Sequence, residues 1–147
     1  MIRNSKVPVL VIKAPIEKEV KKIVFASDFT DVSVESFNKL IEFASVLDAH
    51  IDLLHVDTPK LKMNAEEVDQ NMQKLVDAIE AKDGSIDMNH IEATTVDDGI
   101  NQFAEENDID LVAICTHGKS GLQQLLSPSI AERVANHTYY PLLSIHL

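Results

Sequence analysis

The sequence is poor in cysteine, in long apolar runs and in basic residues, and each shortage excludes a class of protein. Cys115 is the single cysteine, so an internal disulfide is impossible and a reducing compartment is favoured. No stretch approaches the roughly 18 apolar residues of a membrane-spanning helix. The N-terminal VPVLVIKAP is followed at once by charges, unlike a signal peptide. The formal charge of −11 argues against a nucleic-acid partner, because an acidic surface repels phosphate. We therefore expect a cytoplasmic protein that binds neither membranes nor nucleic acids.

The apolar residues that are present indicate short strands alternating with amphipathic helices. With 147 residues and 45% apolar content, the chain has enough material for one ordinary globular core. Such alternation predicts an α/β, Rossmann-like fold whose mostly parallel sheet carries helices on both faces. In these sheets ligands bind beyond the carboxyl ends of the strands, which selects the segments SDFTDVS, HVDTP and CTHGKSG. Strands are predicted at 22–28, 50–56, 90–96, 109–115 and 141–147, and helices at 34–47, from 64, at 97–107 and at 127–137.

The two ends of the chain resemble each other. IRNSKVPVLVIK aligns with ANHTYYPLLSIH so that proline matches proline and the aliphatic residues after it match as well. Chance would explain this match, since short segments of proline and aliphatic residues are common. Alternatively, residues 1–15 are the last strand and linker of a preceding, similar domain, and residues 16–147 are the domain itself. On that hypothesis the N-terminal strand, Val7 to Ile12, pairs with the last strand, Leu142 to His146, within the chain or across a homodimer.

The loop THGKSGLQQLLSPSIAERV, residues 116–134, follows the fourth predicted strand and contains the letters GKS. A Walker A phosphate loop also requires an earlier glycine, and that position is Ala113, inside the strand. Cys115 and His117 raise two further hypotheses, a zinc site and a Cys-His nucleophile pair, but no second thiol or carboxylate stands at a suitable spacing. A small buried cysteine is the simpler interpretation. His55 and His90, which lie in strands, are interpreted as structural histidines.

Three segments together resemble the universal stress protein family: KIVFASDFTDVS, LLHV at the end of the second strand, and THGKSGLQQLLSPSIAERVANHTYYPLLSIH. The resemblance covers residues 20–147. It implies a five-stranded parallel sheet of order 3-2-1-4-5, to which the N-terminal strand is extra. It also implies an ATP site, present in many members, with the signature Gly-x2-Gly-x9-Gly-Ser/Thr after the fourth strand. Members commonly dimerise through the last strand, and tandem members pair their two halves in that way. The chain is interpreted as the C-terminal domain of a tandem member.

Laid on that signature, the chain lacks two of the three glycines. The first glycine corresponds to Cys115, the second to Gly118, the third to Pro128 and the hydroxyl residue to Ser129. The side chain of Cys115 crowds the approach of a phosphate, and Pro128 has no N–H to donate. Each lost charge-assisted hydrogen bond weakens phosphate binding by about 1.5–3 kcal/mol. Gly118, Ser129 and the N–H of Ile130 at a helix N-terminus remain able to hold an anion.

The resemblance also implies which residues hold the nucleoside. Asp28 corresponds to the acidic residue near the ribose, although an aspartate there could equally cap the helix that begins near Val34. Val56 would meet the adenine through its backbone. The complete nucleotide-binding set implied in this way is Ala26, Asp28, Val56, Cys115, Gly118, Ser129 and Ile130.

Two classes of function remain. The first is a regulatory stress-response module that works through dimerisation and carries a degenerate adenine-nucleotide site. The second is a functional switch that binds ATP or AMP with Mg²⁺. Slow ATP hydrolysis is a weaker hypothesis, because no general base or metal cluster stands out. The residues Cys115 and Pro128 favour the first class, in which the chain could also hold no nucleotide at all.

Overall fold

In the residues that the structure describes, six strands and four helices follow one another along the chain. The computed structural model describes residues 8–13, 15–29, 34–60, 62–78, 86–116 and 128–146. No helix in these ranges has the length and the apolar content needed to cross a membrane. The strands are β1 (Val9–Val11), β2 (Lys22–Ala26), β3 (His50–Asp57), β4 (Ile86–Glu92), β5 (Leu111–Thr116) and β6 (Leu142–His146). The helices are α1 (Val34–Leu47), α2 (Ala65–Ala78), α3 (Val96–Glu106) and α4 (Pro128–His137).

The strands form one sheet in the order β1-β6-β5-β2-β3-β4. Strands β2 to β6 are parallel to one another, and their order, β4-β3-β2-β5-β6, is the expected 3-2-1-4-5 order in this numbering. The predicted α/β class with helices on both faces is therefore confirmed. The extra N-terminal strand, β1, joins the edge of the sheet antiparallel to β6, so the sheet is mixed and has six strands.

The sheet separates two apolar cores, and the alternation of side chains along each strand decides which core a residue joins. In β2, Ile23 and Phe25 face α1 and α2, whereas Val24 and Ala26 face α3 and α4. The central strands β2 and β5 are buried on both faces, as expected of parallel strands covered by helices on each side. Because α1 and α4 lie on opposite faces, the chain leaves β2 and β5 in opposite directions.

Capping residues determine where two of the helices begin. The Asn64 Oδ1 accepts backbone N–H groups two and three residues later, at 2.9 and 3.4 Å, so α2 begins at the next residue, as the sequence indicates. The Thr95 Oγ1 accepts the N–H three residues later at 3.2 Å and caps α3. The prediction of a strand at 90–96 is wrong in position, since β4 spans Ile86–Glu92. Threonine suits strands, but Thr95 instead leaves the sheet and serves as the helix cap.

The N-terminal strand β1 covers the edge of β6 within the same chain. Val9 lies opposite Ser144 in the antiparallel register. Just after the strand, the Lys13 Nζ donates a hydrogen bond of 2.7 Å to the carbonyl oxygen of Thr138. The observed strand is shorter than the predicted Val7–Ile12, of which Val7 lies outside the described residues. The pairing of the two ends of the chain is thus present within one molecule.

Candidate nucleotide site

The carboxyl ends of β2 and β5 form the point at which strand order reverses in the sheet. The two strands are hydrogen-bonded neighbours, with Ala26 opposite Ile114. The chain leaves β2 toward α1 on one face and β5 toward α4 on the other. A crevice opens at such a point because the two connections diverge. This is the position at which the sequence predicts a ligand site, after β2 and after β5.

The segment after β2 makes a tight and buried turn. The Ser27 N–H donates to the carbonyl oxygen of Leu54 in the neighbouring strand at 3.2 Å, and the Ser27 Oγ accepts the N–H of Phe29 at 3.0 Å. Phe29 has φ 60°, in the left-handed region that is unfavourable by roughly 1–2 kcal/mol for residues other than glycine. Its ring is 3% exposed and packs edge-on against Phe25 at 5.9 Å. This packing holds the turn in a strained conformation of the kind that clusters at binding sites.

Asp28, the expected ribose-binding residue, lies in this turn and is 5% exposed. Burial, and then the charge of Asp28, raises the pKa of the Cys115 thiol to about 12. The ends of β2 and β5 therefore bring these two predicted site residues near each other. A protonated, buried thiol is a poor nucleophile and a poor metal ligand, so the interpretation of Cys115 as a small buried residue is confirmed. Its hypothetical partner, His117, lies outside the described residues.

His55 links the turn to β3. Its ring is 1% exposed, with Nδ1 3.2 Å from the carbonyl oxygen of Ser27 and Nε2 3.0 Å from the Asp57 Oδ1. Both partners are acceptors, and the two contacts fix the orientation of the ring between the turn and β3. The neighbouring His90 packs edge-on against His55 at 5.7 Å and contacts the carboxylate of Asp69. His55 is buried between its two partners, as the structural interpretation requires, whereas His90 is exposed on the edge strand and its structural role stays a prediction.

Val56, the expected adenine-side residue, lies against the first turns of α3. A Cβ atom added at Gly99 would stand 2.5 Å from the Val56 Cγ1 and 3.1 Å from the Cβ of Ala93, so only glycine allows this approach. Gly99 is not among the site residues predicted from the sequence. The available signal was a glycine inside a predicted helix, where it is unfavourable by about 1 kcal/mol relative to alanine. Val56 and Ala26 are both buried in the core under α3 and α4, so they can meet a nucleotide through their backbone alone.

A cavity opens beside Ala93 at the carboxyl ends of β3 and β4. Its volume is about 480 Å³, which lies within the range of small-molecule sites. A second, larger cavity of about 700 Å³ lies between the N-terminal segment and residues 139–141, at the opposite edge of the sheet. We associate the smaller cavity with the candidate site, because it adjoins the end of β3. It is lined by Asp57, Thr58, Pro59, Lys62, Glu92, Ala93 and Thr94.

The structure describes the phosphate side of the site only in part. Gly118 lies in the segment 117–127, outside the described residues. Pro128 is the first residue of α4, a position where its fixed φ and its missing N–H suit a helix. Ser129 and Ile130 follow it, so their backbone N–H groups lie in the first turn of the helix, which has no intrahelical acceptors for them. That these two N–H groups hold an anion stays a prediction.

Asp97 anchors α4 against α3. Its carboxylate lies 3.0 Å from the His137 Nδ1 and 3.5 Å from the guanidinium of Arg133. Burial opposes ionisation of Asp97, but hydrogen bonds with His137 and Thr95 outweigh that effect, so its pKa lies below the ordinary value. The helix whose first turn borders the crevice is therefore held in place by a charged contact at its other end.

Comparison with known proteins identifies this architecture. Residues 19–146 match the family model described as the universal stress protein family. The chain belongs to that family. It is 30% identical over 139 residues to a universal stress protein of Methanocaldococcus jannaschii, an alignment that covers 85% of this chain and 81% of the relative.

Solved structures of universal stress proteins share the fold at low identity. A universal stress protein in complex with cAMP has a TM-score of 0.64 and 19% identity, over 88% of this chain and 98% of the other. One from Archaeoglobus fulgidus in complex with dAMP has a TM-score of 0.62 and 17% identity, over 87% and 99%. Another, from Archaeoglobus fulgidus DSM 4304, has a TM-score of 0.72 and 18% identity, over 99% of this chain and 53% of that longer chain. At these identities the likeness establishes the fold alone.

Proposed function

We propose that this universal stress protein is a regulatory module that keeps the nucleoside half of an adenine-nucleotide site and holds the phosphates weakly. The supporting observation is that Asp28 lies in the turn just after β2 and Val56 lies near the end of the neighbouring strand β3, beside the point where strand order reverses. The complexes of related folds with cAMP and dAMP are the relevant precedents, because both ligands carry adenine and a single phosphate.

The residues at positions 115 and 128 are expected to weaken binding in the phosphate half of the site. Cys115 places a buried side chain where the family signature has glycine, and Pro128 cannot donate a hydrogen bond. ATP gains affinity over AMP only through contacts to its additional phosphates, and here those phosphates meet fewer donors. We therefore expect AMP and ATP to bind with similar, weak affinities, and Mg²⁺ to add little.

Calorimetric titration of ligand-stripped protein with AMP and with Mg²⁺-ATP tests this proposal. We expect the two dissociation constants to differ by less than about tenfold, which corresponds to about 1.4 kcal/mol. Asp28→Asn preserves the shape of the side chain and removes its charge, so it should weaken both ligands by a similar factor. Asp77→Asn, on the exposed face of α2, is the matched control and should change neither constant.

Asp28 is buried, so a loss of binding in Asp28→Asn does not by itself distinguish a lost contact from misfolding. A variant that gains affinity makes the distinction, because a misfolded protein does not bind its ligand more tightly. Combining Cys115→Gly with Pro128→Gly should strengthen ATP binding by roughly one to two decades for each recovered phosphate bond, with less effect on AMP. The absence of heat with either nucleotide at millimolar concentration would overturn the proposal. Binding of ATP more than about a hundredfold tighter than AMP by the unmodified chain would instead support the competing hypothesis of an ATP switch.

The covered edge of β6 supports the second part of the proposal, which is regulation through strand pairing. The family model begins at residue 19, so β1 lies outside the domain that it describes. The structural alignment with the longer Archaeoglobus fulgidus chain nevertheless covers 99% of this chain, whereas the alignment with the universal stress protein bound to cAMP covers 88%. We infer that β1 takes the position that the last strand of a second domain, or of a second copy, occupies in paired members of the family.

Deletion of residues 1–13 tests this pairing role, because it removes β1 and exposes the edge of β6. An unpaired apolar edge strand is a template for another chain. The truncated protein should therefore associate more strongly than the intact chain, or lose solubility, as measured by analytical ultracentrifugation. Lys13→Ala keeps β1 and removes only the hydrogen bond to Thr138, so this control should behave like the intact chain. A truncated protein with unchanged association and solubility would contradict the inference.

A further inference from the structure

A second group of polar side chains lies near the amino-terminal ends of β3 and β4, away from the nucleotide site. His50 begins β3, and Asp52 lies two residues later on the same face of the strand. Asp87, in β4, stands directly opposite Asp52 in the parallel register. The His50 Nε2 is 3.0 Å from the Asp87 Oδ2 and 3.5 Å from the Asp52 Oδ1, and the three ligand atoms all lie within 4.8 Å of one another. The pairing of β3 with β4 thus brings together an imidazole and two carboxylates.

The negative charge of this group is poorly compensated by the protein. Carboxylates directly opposite each other on neighbouring strands repel, and the side chain of Asp52 is only 9% exposed. Burial raises the pKa of Asp52, an effect that the attraction of His50 opposes and the charge of Asp87 reinforces. The ammonium group of Lys22 attracts Asp52 more weakly than His50 does, and its Nζ donates a hydrogen bond to the carbonyl oxygen of Asn107 at 2.8 Å. Asp52 is therefore a nearly buried carboxylate compensated by one imidazole at 3.5 Å and by the weaker attraction of Lys22.

Two of the three separations between the ligand atoms are close to those around a small tetrahedral metal ion. With metal–ligand bonds of about 2.0–2.2 Å, two ligands of a tetrahedral ion stand roughly 3.3–3.6 Å apart. The two distances from the His50 Nε2, 3.0 and 3.5 Å, lie close to this separation. An imidazole nitrogen with two carboxylates suits a transition metal, whereas Ca²⁺ and Mg²⁺ take oxygen ligands. The side chain of Asp87 is 66% exposed, so the group is open to an ion from solution.

We propose that His50, Asp52 and Asp87 bind a divalent transition metal, with Zn²⁺ as the ion that fits best and water in the remaining position. The ion joins β3 to β4, neutralises the two opposed carboxylates and stabilises the folded chain by mass action. The site is separate from the nucleotide crevice, so it functions whether or not the chain binds a nucleotide.

Titration of metal-stripped protein with Zn²⁺, followed by calorimetry, and with Co²⁺, followed by visible absorption, tests the proposal. We expect one ion per chain at this site, with tetrahedral Co²⁺ bands and a higher melting temperature in Zn²⁺. Asp87→Asn and His50→Gln should each weaken Zn²⁺ binding by about tenfold or more and remove the thermal shift. Both side chains are partly exposed, so these variants are expected to fold.

The contact between His90 and Asp69 provides the matched control. It is also a histidine–aspartate pair at the surface, but it does not belong to a group of three candidate ligands among the described residues. Asp69→Asn should leave Zn²⁺ affinity unchanged within about twofold. The proposal is overturned if the unmodified chain binds neither ion at millimolar concentration. It is also overturned if Asp87→Asn and His50→Gln retain the affinity and the thermal shift of the unmodified chain.

Discussion

The side chains of Asp52 and Asp110 are equally exposed to solvent, at 9% each, and yet the two carboxyl groups differ in their ionisation. Both lie near the amino-terminal ends of the parallel strands, away from the candidate nucleotide site, and Asp52 is surrounded by more protein than Asp110. The Asp110 Oδ2 accepts the backbone N–H groups of Lys21 at 2.9 Å and Lys22 at 3.1 Å. Asp52 instead shares the ring nitrogen of His50, at 3.5 Å, with a second carboxylate. The two carboxylates therefore differ in their donors, and Asp52 is also the more strongly desolvated of the two.

Donors and desolvation together set the direction of the pKa shift of each carboxyl group. Burial by itself raises the pKa of a carboxyl group because it desolvates the charge. At Asp110, hydrogen bonds from the Lys21 backbone and the Lys18 side chain outweigh burial, and the pKa lies below the ordinary 3.8. At Asp52, burial outweighs the attraction of His50, and the pKa lies above 3.8. Backbone N–H groups held in place by the fold thus compensate a buried charge better than one shared imidazole does.

Among the substitutions that test this comparison, Asp110→Ala should change the free energy of unfolding the most. The substitution leaves two backbone N–H groups without their acceptor and should lower the free energy of unfolding by about 2–3 kcal/mol at neutral pH. Because the folded pKa of Asp110 is lower than the unfolded one, this stabilisation is complete above about pH 4 and is lost as the pH falls through the folded pKa. Urea unfolding of both proteins between about pH 7 and pH 3 measures the difference.

Lys18→Ala is the control for this prediction. Lys18 contacts the same carboxylate at 3.0 Å, but its side chain is 75% exposed and the pair is screened by water. We expect the free energy of unfolding to change far less than in Asp110→Ala. Equal losses in the two variants would show that the backbone donors do not dominate.

Asp52→Asn should have a smaller effect of the opposite sign. Removing one of two opposed carboxylates relieves a repulsion of about 0.2–1 kcal/mol, so the variant should be more stable than the unmodified chain at neutral pH. The folded pKa of Asp52 is raised, so the penalty of its charge is absent below the unfolded pKa and complete above the folded one. The gain should therefore disappear below about pH 4. The unfolding measurement requires a chelator, because a bound cation would reverse the sign.

Asp87→Asn tests the same repulsion by removing the charge of the other carboxylate. Its side chain is 66% exposed, so solvent already screens its charge and the gain should be only part of that from Asp52→Asn. A loss of stability in both variants under chelation would show that repulsion between the two carboxylates does not destabilise the fold.

Most of the fold could be predicted because helices and strands follow from local spacing of apolar residues. The helix predicted at 34–47 spans those residues, and the five predicted strands of the parallel sheet all exist. The strand predicted at 90–96 was displaced because β4 is an edge strand with much exposed polar surface, which weakens its apolar signal. The neighbouring threonines favour extended structure, and nothing local distinguishes that preference from capping.

The candidate site could be predicted only in part. The positions of Asp28 and Val56 follow from family resemblance, and their placement at strand ends follows from the fold class. The support that His55 gives to the turn depends on two strands meeting in one register. The requirement for Gly99 depends on how closely α3 packs on β3. A glycine inside a predicted helix marks Gly99 as unusual, but no sequence signal identifies the partner in either contact, since each joins residues that are distant along the chain.

By itself the sequence determined the alternation of strands and helices, and it determined the chemistry at Cys115 and Pro128. Both are local properties: apolar spacing acts over a few residues, and proline lacks an N–H wherever it lies. Only the tertiary structure decided that Asp52 meets a second carboxylate, whereas Asp110 meets two backbone donors. Strand register makes those contacts, and register is set by the packing of the whole sheet. The balance of charge at the edge of the sheet is therefore a property of the complete fold.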